Sequence, residues 1–240
     1  MSSNQNKIFK EQYYQDKLWE YYQNNATSRF DLSYPRLLFL ARLFSPNQRI
    51  LNIGIGSGFL EEKLLQHGVD VYTIDPSEKA IKSLQHKLNL ESKAKIAHSN
   101  RIPFDNNFFD GLVMTEVLEH LSDDILIETL REVYRVLIPE GLFVGTVPYK
   151  EDLFSNQVFC PSCGIVFHHS GHCQIFDRER LYFLLTLNNF KIEKIQCRTF
   201  PDWRRYNPRL LFKSIARYFL GRIGEPLVSP NLYFKSRKLS

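Results

Sequence analysis

Residues 50–68 read ILNIGIGSGFLEEKLLQHG. A β-rich run ends at Ile53, glycines alternate at 54, 56 and 58, and a helix-period segment follows at once, over Ser57 to His67. This order places backbone amides at the carboxyl end of a strand, where open α/β sheets bind ligands. Glycine lets the chain turn sharply there and lets a ligand approach the backbone closely. Seventeen residues past Gly58, at the end of the next β-rich run VDVYTI, stands Asp75, placed to accept hydrogen bonds from ribose hydroxyls. The glycines are spaced GxGxG, whereas dinucleotide sites use GxGxxG, so a mononucleoside-type ligand is favoured over a pyrophosphate one.

Outward from this turn the α/β alternation continues. RILNI, VDVYTI, AKIAH, FDGLVM and GLFVGTV are expected strands between Arg49 and Val147. The spacing predicts helices over Ser57 to His67, Ser77 to Leu88 and Ser122 to Leu137, the last with Leu126, Leu130, Val133 and Leu137 on one stripe and Ser122 as N-cap. Such alternation is the signature of a parallel sheet with crossover helices. Two helices are expected before it, Phe9 to Tyr22 and one beginning near Pro35. After it come a Cys/His-rich insert, a helix from about Asp177, a strand FKIEKIQCRTF, a basic helical segment and a last strand NLYFKSRK. The whole reads as one domain: 1–48 N-terminal helices, 49–147 ligand-binding core, 148–176 insert and 177–240 C-terminal part.

With 240 residues and 43% hydrophobic composition, the chain can build one sizeable core. No stretch approaches the roughly 18 consecutive apolar residues of a membrane span, and the first residues lack the apolar segment of a signal peptide. The expectation is a cytoplasmic protein. The net charge of +5 is unevenly placed: Arg198 to Ser240 hold ten Lys or Arg against Asp202 and Glu225. That asymmetry points to an anionic partner at the C-terminal end.

In LNIGIGSG, TIDPS, RIPFDNNFFDGLVMTEVLEHL and VYRVLIPEGLFVGTVP the chain resembles the class I S-adenosylmethionine-dependent methyltransferases, the group with a VLEH signature, over roughly residues 33 to 147 and the closing strands. The resemblance implies a Rossmann-like seven-stranded sheet flanked by helices and S-adenosylmethionine as cofactor. It further implies that Gly54, Gly56 and Gly58 pack against the methionine moiety and ribose, that Asp75 holds the ribose hydroxyls, and that Pro76 sits by the adenine. His98 and Ser99 stand where an acid usually meets the adenine amino group, and Glu116 would line the cofactor. Asn52 replaces an acid that often helps hold the cofactor's amino group.

The run EVLEH places Glu116, Glu119 and His120 at i, i+3 and i+4, one face of a helical turn. Two carboxylates and an imidazole suit Mg²⁺ or Zn²⁺, which could lower the pKa of a substrate hydroxyl. Similar segments bind metal in ubiquinone-biosynthesis and small-RNA methyltransferases. The plainer account takes precedence here: Glu119 and His120 cap a helix, Glu116 faces the cofactor, and His120 is the candidate general base.

CPSCGIVFHHSGHC, residues 160–173, sets three of the chain's four cysteines beside His168, His169 and His172. Cys-x-x-Cys supplies two ligands for a tetrahedral structural zinc. The stretch resembles an insert, roughly CPxCGxxFHxxxHxxxF, of a subset of these methyltransferases, which implies Cys160, Cys163, His168 and His172 as ligands. Cys173 in place of His172, an empty site and a redox-active cysteine pair are the alternatives. Four protein ligands leave no position for water, so such a zinc would hold the loop and not react.

In the tail, PRLLFKSIARYFLGRIG repeats Arg209, Lys213 and Arg217 every four residues beside an apolar face of Leu211, Ile215 and Phe219. Such a helix can lie on an anionic membrane surface at the inner face, or pack its apolar face on the domain. The expected activity is methyl transfer to a hydroxyl of a small-molecule, saccharide or lipid-linked glycan acceptor. An RNA methyltransferase, for which no RNA-binding motif speaks, and a non-catalytic scaffold of the same fold are the alternatives.

Overall fold

The computed structural model describes Lys17 and residues 33–200, 208–224 and 230–240. The expected helix over Phe9 to Tyr22 lies outside the described residues, apart from Lys17. Strands β1 (Arg49–Ile53), β2 (Asp70–Asp75), β3 (Ala94–Ile96), β4 (Phe109–Thr115) and β5 (Leu137–Pro148) run parallel. The long final pair, β8 (Phe190–Arg198) and β9 (Asn231–Lys238), completes a seven-stranded sheet in the order β3-β2-β1-β4-β5-β9-β8. β9 is antiparallel to both of its neighbours. A separate hairpin, β6 (Gln157–Phe159) with β7 (Val166–His168), forms the insert.

Helices cover both faces, and the strands show it by alternation. Leu51, Leu112, Met114, Phe143 and Phe234 enter a core with α4 (Asp123–Val136) and α5 (Arg178–Leu187). Their strand neighbours Ile50, Val113, Val144 and Tyr233 enter the opposite core with α1 (Tyr34–Ala41) and α2 (Phe59–Gln66). Near-continuous apolar runs are what a sheet buried on both faces requires. α3 (Glu78–Leu88) is capped by Ser77, whose hydroxyl accepts from the Ala80 amide at 3.2 Å, and closes with Asn89 in the left-handed region. Ser122 stands at the N-cap of α4 as expected but makes no side-chain capping bond. Its carbonyl accepts from the Leu126 amide, with Asp123 and Asp124 in the first turn.

The parallel strands all end on one edge, so the segments after β1, β2, β3, β4 and β5 gather there. Behind that edge, α6 (Pro208–Ile223) lies against β8, with Gly221 buried so closely on Thr199 that a Cβ would come within 2.4 Å of its methyl carbon. It is therefore the glycine face that docks. Phe219 (63% exposed) and Ile223 (75% exposed) remain outside with Ile215, Arg217 and Arg222. Among the described residues no helix is long and apolar enough to cross a membrane.

Where β5 meets β9, Gly145 opposes Phe234. A Cβ at Gly145 would lie 2.1 Å from the Met114 carbonyl oxygen and 2.6 Å from the Phe234 ring. Gly145→Ala should therefore destabilise the fold by about 3 kcal/mol, the upper end of overpacking costs. Urea unfolding checks this, and an unchanged midpoint would contradict the packing described.

Candidate active site

The glycine turn after β1 holds Gly54, Gly56 and Gly58 at φ of 89°, 55° and 74°, values that side-chain-bearing residues rarely adopt. Asp75, at the end of β2, ties to this turn: its Oδ2 accepts from the Ile55 amide at 3.0 Å and its Oδ1 from the Ser77 amide at 2.8 Å. Each carboxylate oxygen keeps a second lone pair, which is what holding two ribose hydroxyls requires. Burial raises the Asp75 carboxyl, while the two amides and nearby His98 draw it back. Pro76 and His98 are exposed beside it. Ser99 is not: its hydroxyl is buried against Thr129 on α4 at 2.8 Å, so its side chain is turned away from an adenine site.

Asn52 is likewise turned inward. It is 1% exposed, and its amide donates to the Gly54 carbonyl at 3.0 Å and to Glu61 at 2.7 Å. It shapes the turn from beneath, where the expectation had it reaching the cofactor. Glu61, which the sequence reading passed over, is fully buried on α2 between Asn52 and the Thr73 hydroxyl. A signal existed, since Glu61 interrupts the Leu60–Leu64 stripe that faces the core.

After β4 the chain enters a 3-10 turn, Leu118–His120, with Glu116 in the left-handed region at φ 57°. Glu116, Glu119 and His120 therefore do not share a helical face. Glu116 is engaged elsewhere: it accepts from Thr146 at 2.9 Å and from Asn231 at 3.0 Å, and pairs with Arg36 at 3.3 Å. Arg36 and Asn231 carry no signal in the sequence that marks them as partners of Glu116.

Glu119 is fully buried, and neither carboxyl oxygen meets a hydrogen-bond partner. Burial, with Glu116 adding, raises its pKa well above the ordinary carboxylate value. The insert comes to this turn through two backbone bonds, from the Cys173 and Gln174 amides to the Glu119 carbonyl at 2.8 and 3.2 Å. They bring the His172 ring to 4.6 Å from that of His120. Glu119, His120 and His172 each place one ligand-type atom within 4.8 Å of the others. The His120 Nδ1 lies 3.2 Å from the Gly171 carbonyl, and the His172 Nδ1 bonds to Glu151. Both contacts fix the proton on Nδ1 and leave Nε2 the basic nitrogen, the form in which histidines ligate metals. Burial, with His172 adding, pulls the His120 pKa down to about 3. A base that weak takes up a proton poorly near neutrality, which weighs against the general-base role expected of His120.

The expected zinc set is not assembled. Among the described residues, neither group of three metal-capable side chains, Glu119–His120–His172 or Glu151–His168–His172, includes Cys160 or Cys163. The β6–β7 register explains why. Cys160 pairs with Ile165 at the hairpin tip, whereas His168 pairs with Gln157 at its base. Three residues of strand separate them by roughly 10 Å, and a tetrahedral zinc needs its ligand atoms within about 4 Å of one another. Cys173 donates to the Leu121 carbonyl at 3.3 Å.

Residues 51–145 match the family model described as a methyltransferase domain. Those residues are thus similar to a methyltransferase domain. The mitochondrial ubiquinone biosynthesis O-methyltransferase of Bos taurus is 34% identical over 108 residues, 41% of this chain and 28% of that protein. The Rattus norvegicus protein of the same name is 34% identical over 174 residues, 66% of this chain and 48% of its own length. This chain thus spans less than half the length of either relative. Among solved structures, the methyltransferase fold recurs in the Burkholderia thailandensis 1,6-didemethyltoxoflavin-N1-methyltransferase with bound 1,6-didemethyltoxoflavin and S-adenosylhomocysteine. It aligns with a TM-score of 0.66 at 17% identity, over 94% of this chain and 87% of that one.

Burial pushes Glu61 from 4.5 up to about 7, against the bonds from Asn52 and Thr73. A folded value above the unfolded one means that protonation favours the fold. The contribution is complete below about pH 4.5 and fades as pH rises through about 7, a span worth about 3 kcal/mol. Urea unfolding of the wild type and Glu61→Gln between pH 5 and 8 should show the wild type losing about 2–3 kcal/mol relative to the variant. The comparison subtracts the opposite slope of buried His120, and parallel curves would contradict a neutral buried acid.

Proposed function

We propose that this protein is an S-adenosylmethionine-dependent O-methyltransferase whose acceptor hydroxyl is held beside a divalent cation, Mg²⁺ or Zn²⁺, at Glu119, His120 and His172. The observation that carries the reading is Glu119: a buried carboxyl with two unpartnered oxygens, beside two imidazoles whose Nδ1 contacts leave Nε2 the basic nitrogen. Such an acid is costly to bury unless something positive meets it.

The cofactor side rests on Asp75 and the glycine turn. S-Adenosylmethionine would supply a sulfonium methyl; on its transfer to an acceptor oxygen the sulfonium would become a thioether and the hydroxyl proton would pass to solvent. Asp75 would hold the ribose, and the turn would admit the methionine moiety against its backbone. Val117 joins the two halves. A Cβ at Gly54 would lie 2.9 Å from Val117 Cγ2, so the glycine turn abuts the 3-10 turn that carries Glu119 and His120. Positioning the acceptor oxygen in line with the methyl is then the main catalytic work of the chain. A cation held by Glu119, His120 and His172 would lower the pKa of an acceptor hydroxyl, so that its proton could pass to water without a strong protein base. The names of the two mammalian relatives support oxygen as the acceptor atom.

The acceptor class we favour is a small molecule, saccharide or lipid-linked glycan, reached at an anionic membrane surface. α6 supports the surface part, because its Ile215, Phe219 and Ile223 recur at four-residue intervals in solvent with Arg217 and Arg222 exposed alongside. Apolar side chains with cationic neighbours are the composition of interfacial helices.

Calorimetric titration with S-adenosylhomocysteine should show micromolar binding that Asp75→Ala abolishes, and no binding by the folded wild type would overturn the enzyme reading. Sedimentation with vesicles of mixed anionic and zwitterionic phospholipid should capture the wild type at low salt. Phe219→Asp, or Arg217→Glu with Arg222→Glu, should release it. Equal capture by purely zwitterionic vesicles would contradict a charge-assisted surface.

A further inference from the structure

The second His/Glu cluster stands behind the first, and its hydrogen bonds run in one direction. His168 Nδ1 accepts from the Ser170 and His172 amides at 3.2 and 3.1 Å, so this nitrogen is unprotonated and the ring proton sits on Nε2. That Nε2 lies 3.4 Å from Glu151 Oε1 but makes no hydrogen bond with it. The same oxygen accepts from the Asn156 side-chain amide at 3.0 Å. The other carboxyl oxygen, Oε2, takes the Nδ1 of His172. The His168 and His172 rings stack with centroids 4.7 Å apart.

His168 has given Nδ1 to two backbone amides, and its Nε2 lies toward Glu151 without a hydrogen bond. Glu151 gives Oε2 to His172 and Oε1 to Asn156. His172 keeps Nε2 beyond these contacts, and it is the residue shared with Glu119 and His120.

Resting on the cation reading above, we propose that Glu151 is a positioning residue for the metal centre, orienting His172 as an Nε2 ligand, and that Asn156 in turn holds Glu151. The role follows from geometry: a carboxylate on Nδ1 fixes the tautomer and the ring plane of a ligand histidine and makes its other nitrogen a stronger donor. Removal of such partners typically lowers metal affinity 10- to 100-fold. The backbone at His172 does not depend on Glu151, because the Cys173 and Gln174 amides remain on the Glu119 carbonyl. Glu151 therefore acts on the ring of His172 and not on the path of the loop.

Titration of the full chain with Mn²⁺, read by the paramagnetic resonance of the free ion with S-adenosylhomocysteine present, tests this. Glu151→Ala should weaken Mn²⁺ binding about 10- to 100-fold while leaving S-adenosylhomocysteine affinity within about twofold. Glu151→Gln, which keeps an oxygen to accept from His172, should recover part of the loss. Wild-type Mn²⁺ affinity in Glu151→Ala would overturn the proposal, as would an equal loss of S-adenosylhomocysteine affinity in both variants, since that would mark a general structural role. The cation reading itself fails separately: wild-type protein that takes no Mn²⁺, or His172→Ala that takes it as the wild type does, would remove the centre and not merely its support.

Discussion

Two backbone hydrogen bonds, from the Cys173 and Gln174 amides to the carbonyl of Glu119, join parts of the chain more than fifty residues apart. Everything distinctive about the catalytic edge depends on them. They seat the insert on the turn after β4, bring Gly171 to the Nδ1 of His120, and lay His172 across the face of His120. Gln174 reinforces the seat by donating to the Leu121 carbonyl and to Asp123. Without this junction Glu119 would be a buried acid with nothing opposite it.

The two halves of the site obey different physics. At the cofactor half, backbone geometry does the work: three left-handed glycines and an acid anchored by two amides leave room and lone pairs for a nucleoside. Beneath it, Asn52, Thr73 and Glu61 form a buried polar support, with burial raising the Glu61 carboxyl to about 7. At the other half, electrostatics decides. Leaving a buried carboxyl oxygen unpartnered costs on the order of 1–3 kcal/mol, and Glu119 has two such oxygens. Glu116, three residues earlier, avoids that cost through Thr146, Asn231 and Arg36. The contrast between these neighbouring acids separates a carboxylate with three side-chain partners from one whose oxygens meet no hydrogen bond.

The fold was legible because its signals are local. The run from Ile50 to Gly68 carries strand, turn and helix within nineteen residues, and the next acid falls at the expected strand end. The helices over residues 78–88, 123–136 and 178–187 followed from apolar period and start signals. The site was legible only in its letters. Glu119 and His120 stood out, but the third member of their group, His172, could not be matched to them, because a backbone carbonyl makes the junction and carbonyls have no letter. The Cys-x-x-Cys spacing grouped the histidines with cysteines that the fold sets apart: a β-hairpin register, invisible in spacing alone, sends the cysteines to its tip and His168 to its base. The orientation of Asn52 and Ser99 was not legible for a related reason. Position in a motif does not say which way a side chain turns, and both turn into the protein.

The central claim is that a divalent cation belongs at Glu119, His120 and His172. Anomalous diffraction at the manganese edge, from crystals grown with S-adenosylhomocysteine and Mn²⁺, addresses it most directly. The account predicts a single strong peak bounded by a Glu119 carboxyl oxygen and the Nε2 atoms of His120 and His172. A peak elsewhere, or no peak there when S-adenosylhomocysteine is bound, would contradict it.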